Sequence, residues 1–266
     1  MREAEPGASE TNLLTIDGIA VRVFGNRAAA IRCAADRVSS CLAGRSVLAL
    51  PTGRTPIDLY RELRDRHQLG AISFAQAETF NLDEYWPIEP TTRGSFRRFM
   101  REHLFDHVDL APERAHLPDG RVERAAVASE CTAYEAAITR AGGLDLAILG
   151  IGRNGHVGFN EPGSPIDSRT RLVELTAETR RDNERDFDDP QTIPQHALTM
   201  GIATILSARA LMVLAFGAAK AEILAHALRG PIDASCPASF LRTVAPRVEF
   251  LLDPAAAARL AEDTVR

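Results

Sequence analysis

The chain contains almost no lysine. It has 31 basic residues, and every one of them except Lys220 is arginine. Lysine presents a compact point charge and arginine a wide planar fork, so the two are not interchangeable in a narrow site. Two interpretations of Lys220 follow: it is a surface residue on a helix, or it is a cation retained for a ligand.

Long apolar runs and an excess of positive charge are also missing. No run reaches the ~18 residues that a membrane-spanning helix needs, which predicts no membrane partner. The first residues, MREAEPGASETN, are polar and lack the apolar core of a signal peptide, so we predict a cytoplasmic protein. The net charge of −5, with no basic stripe, argues against nucleic acid as a partner.

Cysteine and histidine are too scattered to predict a metal site. The four cysteines form no CxxC pair and are predicted to be reduced, mostly structural thiols: Cys33, Cys41, Cys131 and Cys236. His103 and His107 have the i, i+4 spacing of two metal ligands, but no glutamate stands in the arrangement that zinc proteases use. We therefore predict that no metal is bound.

The sequence does contain a regular alternation of apolar runs and helical patterns. With 266 residues, 45% hydrophobic and 25% charged, the composition is that of a globular protein. Strands are predicted at 19–24, 46–50, 77–82, 144–149, 210–216 and 248–253, and helices at 27–43, 55–66, 95–107, 121–142, 176–185, 201–208, 218–229 and after Pro254. This alternation predicts an α/β fold with an open, doubly wound, Rossmann-like parallel sheet, in a single domain over 1–266. We predict a mobile lid at 174–194, where charged residues crowd together.

The densest group of functional residue types follows the apolar run at 144–149. The segment GIGRNGHVGFNEPG, from Gly150 to Gly163, combines glycines with Asn154, His156 and Glu161. Glycine lets a backbone approach a ligand closely, and histidine titrates near neutrality. Because open α/β sheets bind ligands at the carboxyl ends of their strands, this loop predicts an active site in which His156 relays protons.

Three further strand ends carry candidate groups. The turn from Pro51 to Pro56 enters a helix that we expect Thr55 to cap, and helix N-termini bind phosphate. Its spacing is not that of a P-loop, and an ordinary capped helix is the alternative. Asp83, in FNLDEY, is either an acid/base or a cap of a turn. Lys220, in FGAAK, lies near a helix start, where a nearby anion would explain a cation.

Several motifs, taken in order, resemble one family. Between about Val47 and Asp253 the chain carries LALPTGRTP, FNLDEY, LGIGRNGHVGFNEPGS, SRTR, TRRDNERDF, ALTMGIATIL, FGAAK and CPAS. This set resembles the glucosamine-6-phosphate deaminases, of the sugar-phosphate isomerase group that also includes 6-phosphogluconolactonase. The resemblance implies conversion of D-glucosamine 6-phosphate and water to D-fructose 6-phosphate and ammonia. The implied steps are ring opening, 1,2-proton transfer through an enolamine and loss of ammonia, with no cofactor, because each step is driven by proton transfer.

The resemblance also implies a role for each candidate group. Asp83 matches the acid/base that moves a proton between C2 and C1, His156 matches the group that assists ring opening, and Glu161 matches the carboxylate that works with it. Asn154 stands where many members have aspartate, and an amide there should still orient His156. The implied phosphate-binding set is Thr52, Gly53, Arg54, Thr55, Arg185 and Lys220, which would account for the sole lysine.

Two departures from the family pattern concern specificity and regulation. Arg54 stands where glycine or serine is commoner, so it adds charge and bulk to the phosphate loop. Allosteric members bind an N-acetyl sugar phosphate with an arginine and with a lysine two residues later. Here Arg171 is kept, but the later position is Val173. We therefore predict weak or absent activation by that effector.

Three alternatives stay open from the sequence. Another amino-sugar phosphate, such as galactosamine 6-phosphate, could be the substrate. A 6-phosphogluconolactonase would share the phosphate loop, although Tyr85 and the run NEPG at 160–163 favour a deaminase. A non-catalytic sensor of sugar phosphates would also keep that loop, but the retention of Asp83, His156 and Glu161 together argues against it. Because the family includes monomers and hexamers, the prediction is a monomer or a homo-oligomer.

Overall fold

Two sheets, with helices packed on them, form the part of the chain that a computed structural model describes, residues 12–189 and 192–261. The strands are β1 (Asn12–Ile16), β2 (Ile19–Val23), β3 (Ser46–Leu50), β4 (Ala77–Asn81), β5 (Asp83–Trp86), β6 (Ala115–His116), β7 (Leu146–Gly150), β8 (Arg171–Glu174), β9 (His196–Thr199), β10 (Ala210–Ala215) and β11 (Val248–Leu252). The helices are α1 (Arg27–Cys41), α2 (Ile57–Gln68), α3 (Phe96–His103), α4 (Val127–Ala141), α5 (Ala177–Asp182), α6 (Ile202–Leu206), α7 (Ala221–Arg229) and α8 (Ala258–Ala261).

The main sheet is parallel except at one edge. Its order is β1-β2-β11-β10-β7-β3-β4-β6, and only β1 runs antiparallel to its neighbour among these described strands. Strand β3, SVLAL, is buried at every residue, because α1, α2 and α3 cover one face of the sheet while α4 and α7 cover the other. The predicted open, Rossmann-like parallel sheet is confirmed.

The strand order reverses between β3 and β7. From β3 the chain continues outward through β4 to β6, whereas from β7 it continues the other way through β10 to β11. The carboxyl ends of β3 and β7 therefore border a crevice, which is where open α/β sheets bind ligands. The turn after β3 and the glycine-rich loop after β7 were both predicted as site loops, and the topology places them side by side.

A second, antiparallel sheet was not predicted. It has the order β5-β9-β8, and β5 begins at Asp83, which pairs with Thr199. These strands are only four residues long, and the two later ones flank the polar segment that predicted a lid, so their periodicity is hard to recognise. The sheet matters because it fixes Asp83 at the start of a strand instead of in a free loop.

The predicted cap of α2 is wrong. Thr55 does not cap this helix, and Pro56 precedes its first residue, Ile57, with no side-chain hydrogen bond. The Thr55 carbonyl instead accepts a hydrogen bond from Arg27 Nη2 at 3.4 Å, which keeps Thr55 in the loop. The predicted parallel strands are right to within two residues at each end. Most of the N-terminal segment that suggested a cytoplasmic protein, residues 1–11, lies outside the described residues, as do 190–191 within the predicted lid.

No helix among the described residues is both long and apolar enough to pass through a lipid bilayer.

Candidate active site

A cavity of about 230 Å³ opens at the carboxyl ends of β3 and β7. The turn after β3, the start of β5, the loop after β7, the lid segment and Lys220 all contribute to its wall. Of the residues predicted as functional, those that line it are Thr52, Gly53, Arg54, Thr55, Asp83, His156 and Lys220. One cavity therefore gathers groups that lie far apart in the sequence.

The turn after β3, in the cavity wall, has features that suit an anionic ligand. The backbone turns through Gly53, whose φ of +86° suits glycine, and then enters the 12-residue helix α2. The guanidinium of Arg27 lies behind this turn, 3.5 Å from the Arg54 carbonyl oxygen and 2.8 Å from Asp58. A turn held in this way, in front of a helix N-terminus, presents backbone N–H groups and a positive dipole end to a ligand.

Lys220 lines the same cavity. Its Nζ donates a hydrogen bond of 2.7 Å to the carbonyl of Ile151, in the loop after β7. Burial lowers the pKa of Lys220, the nearby Arg153 lowers it further, and Asp182 in the lid segment opposes both. Two cations near each other in a half-buried wall make an anionic ligand favourable, so the structure supports the interpretation of Lys220 as a ligand-binding cation.

Asp83 lies deeper in the cavity, with 5% of its surface exposed. Burial, with a smaller contribution from the neighbouring Glu84 carboxylate, raises the pKa of Asp83 to about 8, against a hydrogen bond from the Phe159 backbone. A carboxyl group that titrates near neutrality can both take up and release a proton. The physical setting of Asp83 is thus that of an acid/base.

Glu84 has a structural role in this geometry. Its carboxylate accepts hydrogen bonds of 2.9 Å from Ser95 Oγ and from the backbone N–H groups of Phe96 and Arg97. These donors belong to the N-terminus of α3, so Glu84 caps that helix. Its contribution to Asp83 is electrostatic.

A short relay connects His156 with Glu161 through Asn154. Asn154 Nδ2 donates to Glu161 Oε2 at 2.7 Å, and Asn154 Oδ1 accepts from the His156 backbone N–H at 3.1 Å. These two contacts fix the orientation of the amide. His156 Nδ1 lies 2.8 Å from Asn154 Oδ1 and must therefore carry a proton. In neutral His156, Nε2 is left as an acceptor that can receive a proton.

Glu161 is held as a carboxylate. Burial acts to raise the pKa of Glu161, but the His156 imidazole, the Thr179 hydroxyl and the Asn154 amide outweigh it, and the pKa is lowered. The His156 Nδ1 to Glu161 Oε2 distance is 3.7 Å, so the amide mediates between the two groups.

Two glycines allow the loop after β7 to fold back on itself and over Asp83. A Cβ atom at Gly152 would overlap the His156 ring, and one at Gly158 would come within 3.2 Å of Asp83 Oδ2. Gly158 also has a φ of +58°. The glycine-rich loop therefore brings the His156 relay and Asp83 into the same small space.

The predicted lid lies over the cavity. Phe187 is buried at its far end and meets Tyr85 edge to face, with ring centroids 5.2 Å apart. Its ring occupies the space above Gly94, where a Cβ atom would overlap it. Arg93 Nη1 and Asp188 Oδ1 form an adjacent ion pair at 2.8 Å. Mobility of this segment stays a prediction.

One predicted phosphate ligand does not line the cavity. Arg185 is exposed, in the turn that follows α5, and it is absent from the cavity wall. Its side chain would reach a ligand only after its segment or the side chain itself changes position. The assignment of Arg185 stays a prediction.

Several residues of the cavity wall were not predicted. The polar ones are Arg153, Thr179, Asp182, Asn183 and Asp186. Arg153 directly precedes Asn154 in the glycine-rich loop, so the sequence could have indicated that it lies near the site. The other four belong to the lid segment, whose charge pattern indicated solvent exposure and gave no sign of which side faces the cavity. Among the described residues, no group of three or more His, Cys, Asp or Glu is placed to hold a metal ion.

Comparison with known proteins shows to which family the chain belongs. The family model described as glucosamine-6-phosphate isomerases/6-phosphogluconolactonase matches residues 26–249. The glucosamine-6-phosphate deaminase of Hahella chejuensis is 51% identical over 215 residues, which is 81% of this chain and 81% of that protein. The protein of the same name from Rhodopirellula baltica is 50% identical over 81% of this chain and 84% of its own length.

Solved structures give the same result. A monomeric glucosamine-6-phosphate deaminase, 37% identical in sequence, superposes with a TM-score of 0.85 over 90% of this chain and 99% of its own. The 6-phosphogluconolactonase of Trypanosoma brucei shares the fold alone, at 20% identity and a TM-score of 0.72 over 94% of this chain and all of its own. The chain thus belongs to the glucosamine-6-phosphate isomerase/6-phosphogluconolactonase family.

Proposed function

We propose that the chain is a glucosamine-6-phosphate deaminase, which converts D-glucosamine 6-phosphate and water to D-fructose 6-phosphate and ammonia. The observation that carries the proposal is the single cavity that gathers the turn after β3 and Lys220, which suit an anion, with two candidate proton-transfer groups, Asp83 and His156. Relatives about half identical over four-fifths of the chain are named for this activity. The partner is therefore a small sugar phosphate.

The phosphate of the substrate binds at the turn after β3. Backbone N–H groups of Thr52 to Thr55 and the ammonium of Lys220 surround it, and Arg54 and Arg153 add positive charge at the rim. A phosphate dianion also relieves the repulsion between Lys220 and Arg153. Fixing the phosphate at this end sets the distance at which the sugar carbons meet the proton-transfer groups.

Ring opening is assigned to His156. Its Nε2 accepts the proton of the C1 hydroxyl and returns it to the ring oxygen, which gives the open-chain aldehyde. Asn154 and Glu161 keep Nδ1 protonated and the ring in place, so that Nε2 is the atom that faces the sugar.

Asp83 then moves a proton between two carbons. As a carboxylate it removes the proton from C2, giving an enolamine, and it returns that proton to C1. The product is an imine at C2, which water hydrolyses to the ketone with release of ammonia. In the 1,2-transfer a second proton passes from the amino nitrogen to the C1 oxygen, and hydrolysis of the imine forms a C–O bond from water and breaks the C–N bond. A pKa of about 8 makes Asp83 suited to both directions of the carbon-to-carbon transfer.

The alternative functions have less support. The 6-phosphogluconolactonase structure is 20% identical and supports a common fold only. A non-catalytic sensor would not need a buried carboxyl group and an oriented imidazole beside the anion site. Glucosamine 6-phosphate is preferred over its galactosamine epimer because the relatives are named for it. A cytoplasmic location is a prediction, and so is a monomer or homo-oligomer.

A specificity assay tests the proposal. The purified chain is incubated with the 6-phosphates of glucosamine, galactosamine and mannosamine, and ammonia release is followed for each. We expect the highest kcat/KM for glucosamine 6-phosphate. A higher value for another epimer would change the assigned substrate, and hydrolysis of 6-phosphogluconolactone without ammonia release from any of the three would overturn the deaminase.

A further inference from the structure

Thr179 connects the lid segment to the catalytic relay. It lies in the first turn of α5, is 3% exposed, and donates a hydrogen bond from Oγ1 to Glu161 Oε1. The Thr176 hydroxyl donates in turn to Thr179 Oγ1 at 3.2 Å. Both oxygens of Glu161 are therefore occupied, one by the lid helix and the other by Asn154.

The hydrogen bonds converge on the Glu161 carboxylate from two sides. Thr179 donates to Glu161, Asn154 donates to the other oxygen of the same carboxylate, and the His156 Nδ1 proton points to the amide oxygen of Asn154. Each of the three groups other than the carboxylate donates a hydrogen bond to its neighbour on the side of Glu161. Rotation of the Glu161 carboxylate would leave the amide held by the His156 backbone N–H alone, so the His156 tautomer would be fixed less firmly.

The same helix also reaches the substrate cavity. Asp182 at its end and Asn183 directly after it line the cavity together with Thr179. A helix of six residues is too short to hold its place by itself. The position of α5 therefore depends on its contacts with the rest of the chain. Thr179 makes one of these contacts, the hydrogen bond to Glu161, and it also lines the cavity.

We propose that Thr179 is a positioning residue which couples closure of the lid helix over the substrate to orientation of the His156 imidazole. With α5 in place, Glu161 is held, Asn154 is oriented and His156 Nε2 faces the sugar. When α5 moves away, the relay loses its anchor and ring opening slows. Thr179 acts through Glu161 and does not move a proton of the substrate. This inference rests on the proposed function, because it takes His156 as the ring-opening group.

The test compares three variants. Thr179→Val keeps the size of the side chain and removes the hydroxyl, while Thr179→Ser restores a hydroxyl. Thr204→Val is the matched control, because Thr204 is equally buried and donates to another carboxylate, Glu135, at 2.6 Å, outside the cavity. We expect Thr179→Val to lower kcat for glucosamine 6-phosphate about tenfold with KM changed less than about twofold. Thr179→Ser should regain most of the loss, and Thr204→Val should keep the kcat of the parent chain.

A second readout does not depend on turnover. Ring ¹⁵N NMR reports which nitrogen of a neutral histidine carries the proton, and the His156 signals are identified by their loss in His156→Gln. We expect a single Nδ1-protonated tautomer in the parent chain and a mixture of tautomers in Thr179→Val. An unchanged tautomer in Thr179→Val, or an equal fall of kcat in Thr204→Val, would overturn the coupling. If the parent chain released no ammonia, the proposed function would fail while the NMR comparison still decided on Thr179.

Discussion

At the scale of single residues, Asp83 is buried and yet must ionise in the proposed reaction. Burial opposes ionisation because it disfavours the charged carboxylate. The pKa of about 8 means that the folded protein keeps the proton over a pH range in which the unfolded chain has lost it. Stability from this group is therefore complete below about pH 4 and declines as the pH rises towards 8. In the proposed mechanism, this loss of stability accompanies the placement of a reactive carboxyl group in the cavity.

An Asp83→Asn variant separates these two effects. We expect kcat to fall about 10²- to 10⁴-fold, because the amide cannot take the C2 proton. We also expect the thermal midpoint to exceed that of the parent chain by an amount that grows from pH 4 to pH 8 and then levels off. Each kcal/mol corresponds to about 2–4 °C in a chain of this size. Calorimetry at several pH values measures the gain, and a gain independent of pH would contradict the assigned pKa.

The charge of Glu84 offers a second test of Asp83. Because this charge raises the pKa of Asp83, Glu84→Gln should lower that pKa. The rising limb of kcat/KM against pH, which reports ionisation of the free enzyme's base, should then move to lower pH. Glutamine still offers one acceptor to the N-terminus of α3. A limb that stays in place would show that Asp83 does not control it.

Substitutions of Lys220 test whether the one lysine of the sequence binds the phosphate. Lys220→Ala should raise KM about 10- to 150-fold, since a lost charged hydrogen bond costs about 1.5–3 kcal/mol. Lys220→Arg should fail to restore the parent KM, because the fork is too wide for the contact with Ile151 and the phosphate. Steady-state kinetics at constant ionic strength measure both variants. A Lys220→Arg variant with the parent KM would show that the site does not require lysine at this position.

Arg185 is a residue for which sequence and structure give different expectations. The family resemblance implies a phosphate contact, whereas the side chain is exposed and outside the cavity wall. Arg153 was not singled out from the sequence, and the structure places it next to Lys220. Residue type and motif indicate which loops carry function, but the direction of a side chain depends on packing between segments distant in sequence.

At the scale of elements, the segment predicted to be a lid is held at two points, Thr179 and Phe187. Thr179 binds Glu161 near its beginning, and Phe187 packs above Gly94 near its end. Gly94 has no Cβ because the Phe187 ring occupies that space. The lid's position thus depends on a glycine in another segment, which no local pattern in the sequence could have indicated.

Gly94→Ala should release the far end of the lid. The added methyl group overlaps the Phe187 ring, so we expect KM to rise and trypsin to cleave faster after Arg180, Arg181 or Arg185. Gly44→Ala serves as the control, since a Cβ atom there would meet nothing within 4 Å. Limited proteolysis followed by mass spectrometry locates the cuts. Parent-like cleavage of Gly94→Ala would show that Phe187 does not anchor the lid.

The elements that the sequence predicted well are those with a continuous apolar pattern. Strands β3 and β7 are buried on both faces, so their runs of Val, Ile, Leu and Ala are recognisable without the structure. The small antiparallel sheet was not recognisable in this way. Its strands have only four residues each, and their pairing joins Asp83 to Thr199, more than a hundred positions away. Long-range pairing of short strands leaves no local periodicity to read.

At the scale of the whole molecule, the reversal of strand order between β3 and β7 places the two ends of the substrate. In the proposed function the turn after β3 holds the phosphate, while the loop after β7 carries the His156 relay, and neighbouring strands of the sheet position both. Function follows from this topology because the sheet itself is rigid. The relative placement of these two loops could be expected from the alternating pattern of strands and helices.

Regulation by a distant ligand is expected to be weak. The Arg171 guanidinium is committed within the chain, to Asn160 Oδ1 at 2.8 Å and to Ser164 Oγ at 3.1 Å. Val173 offers no second cation for an effector phosphate. N-acetylglucosamine 6-phosphate should therefore leave the substrate saturation curve unchanged at saturating concentrations. A left shift of that curve in initial-rate measurements would show that other residues replace the missing lysine.

The most direct test of the account follows both products from one reaction. The purified parent chain and Asp83→Asn are each given glucosamine 6-phosphate, and ammonia, fructose 6-phosphate and substrate binding are measured. We predict equal amounts of the two products from the parent chain, and normal binding with kcat lowered about 10²- to 10⁴-fold from Asp83→Asn. Full turnover by Asp83→Asn, or ammonia without fructose 6-phosphate from the parent chain, would contradict the central claim that this cavity moves a proton between C2 and C1.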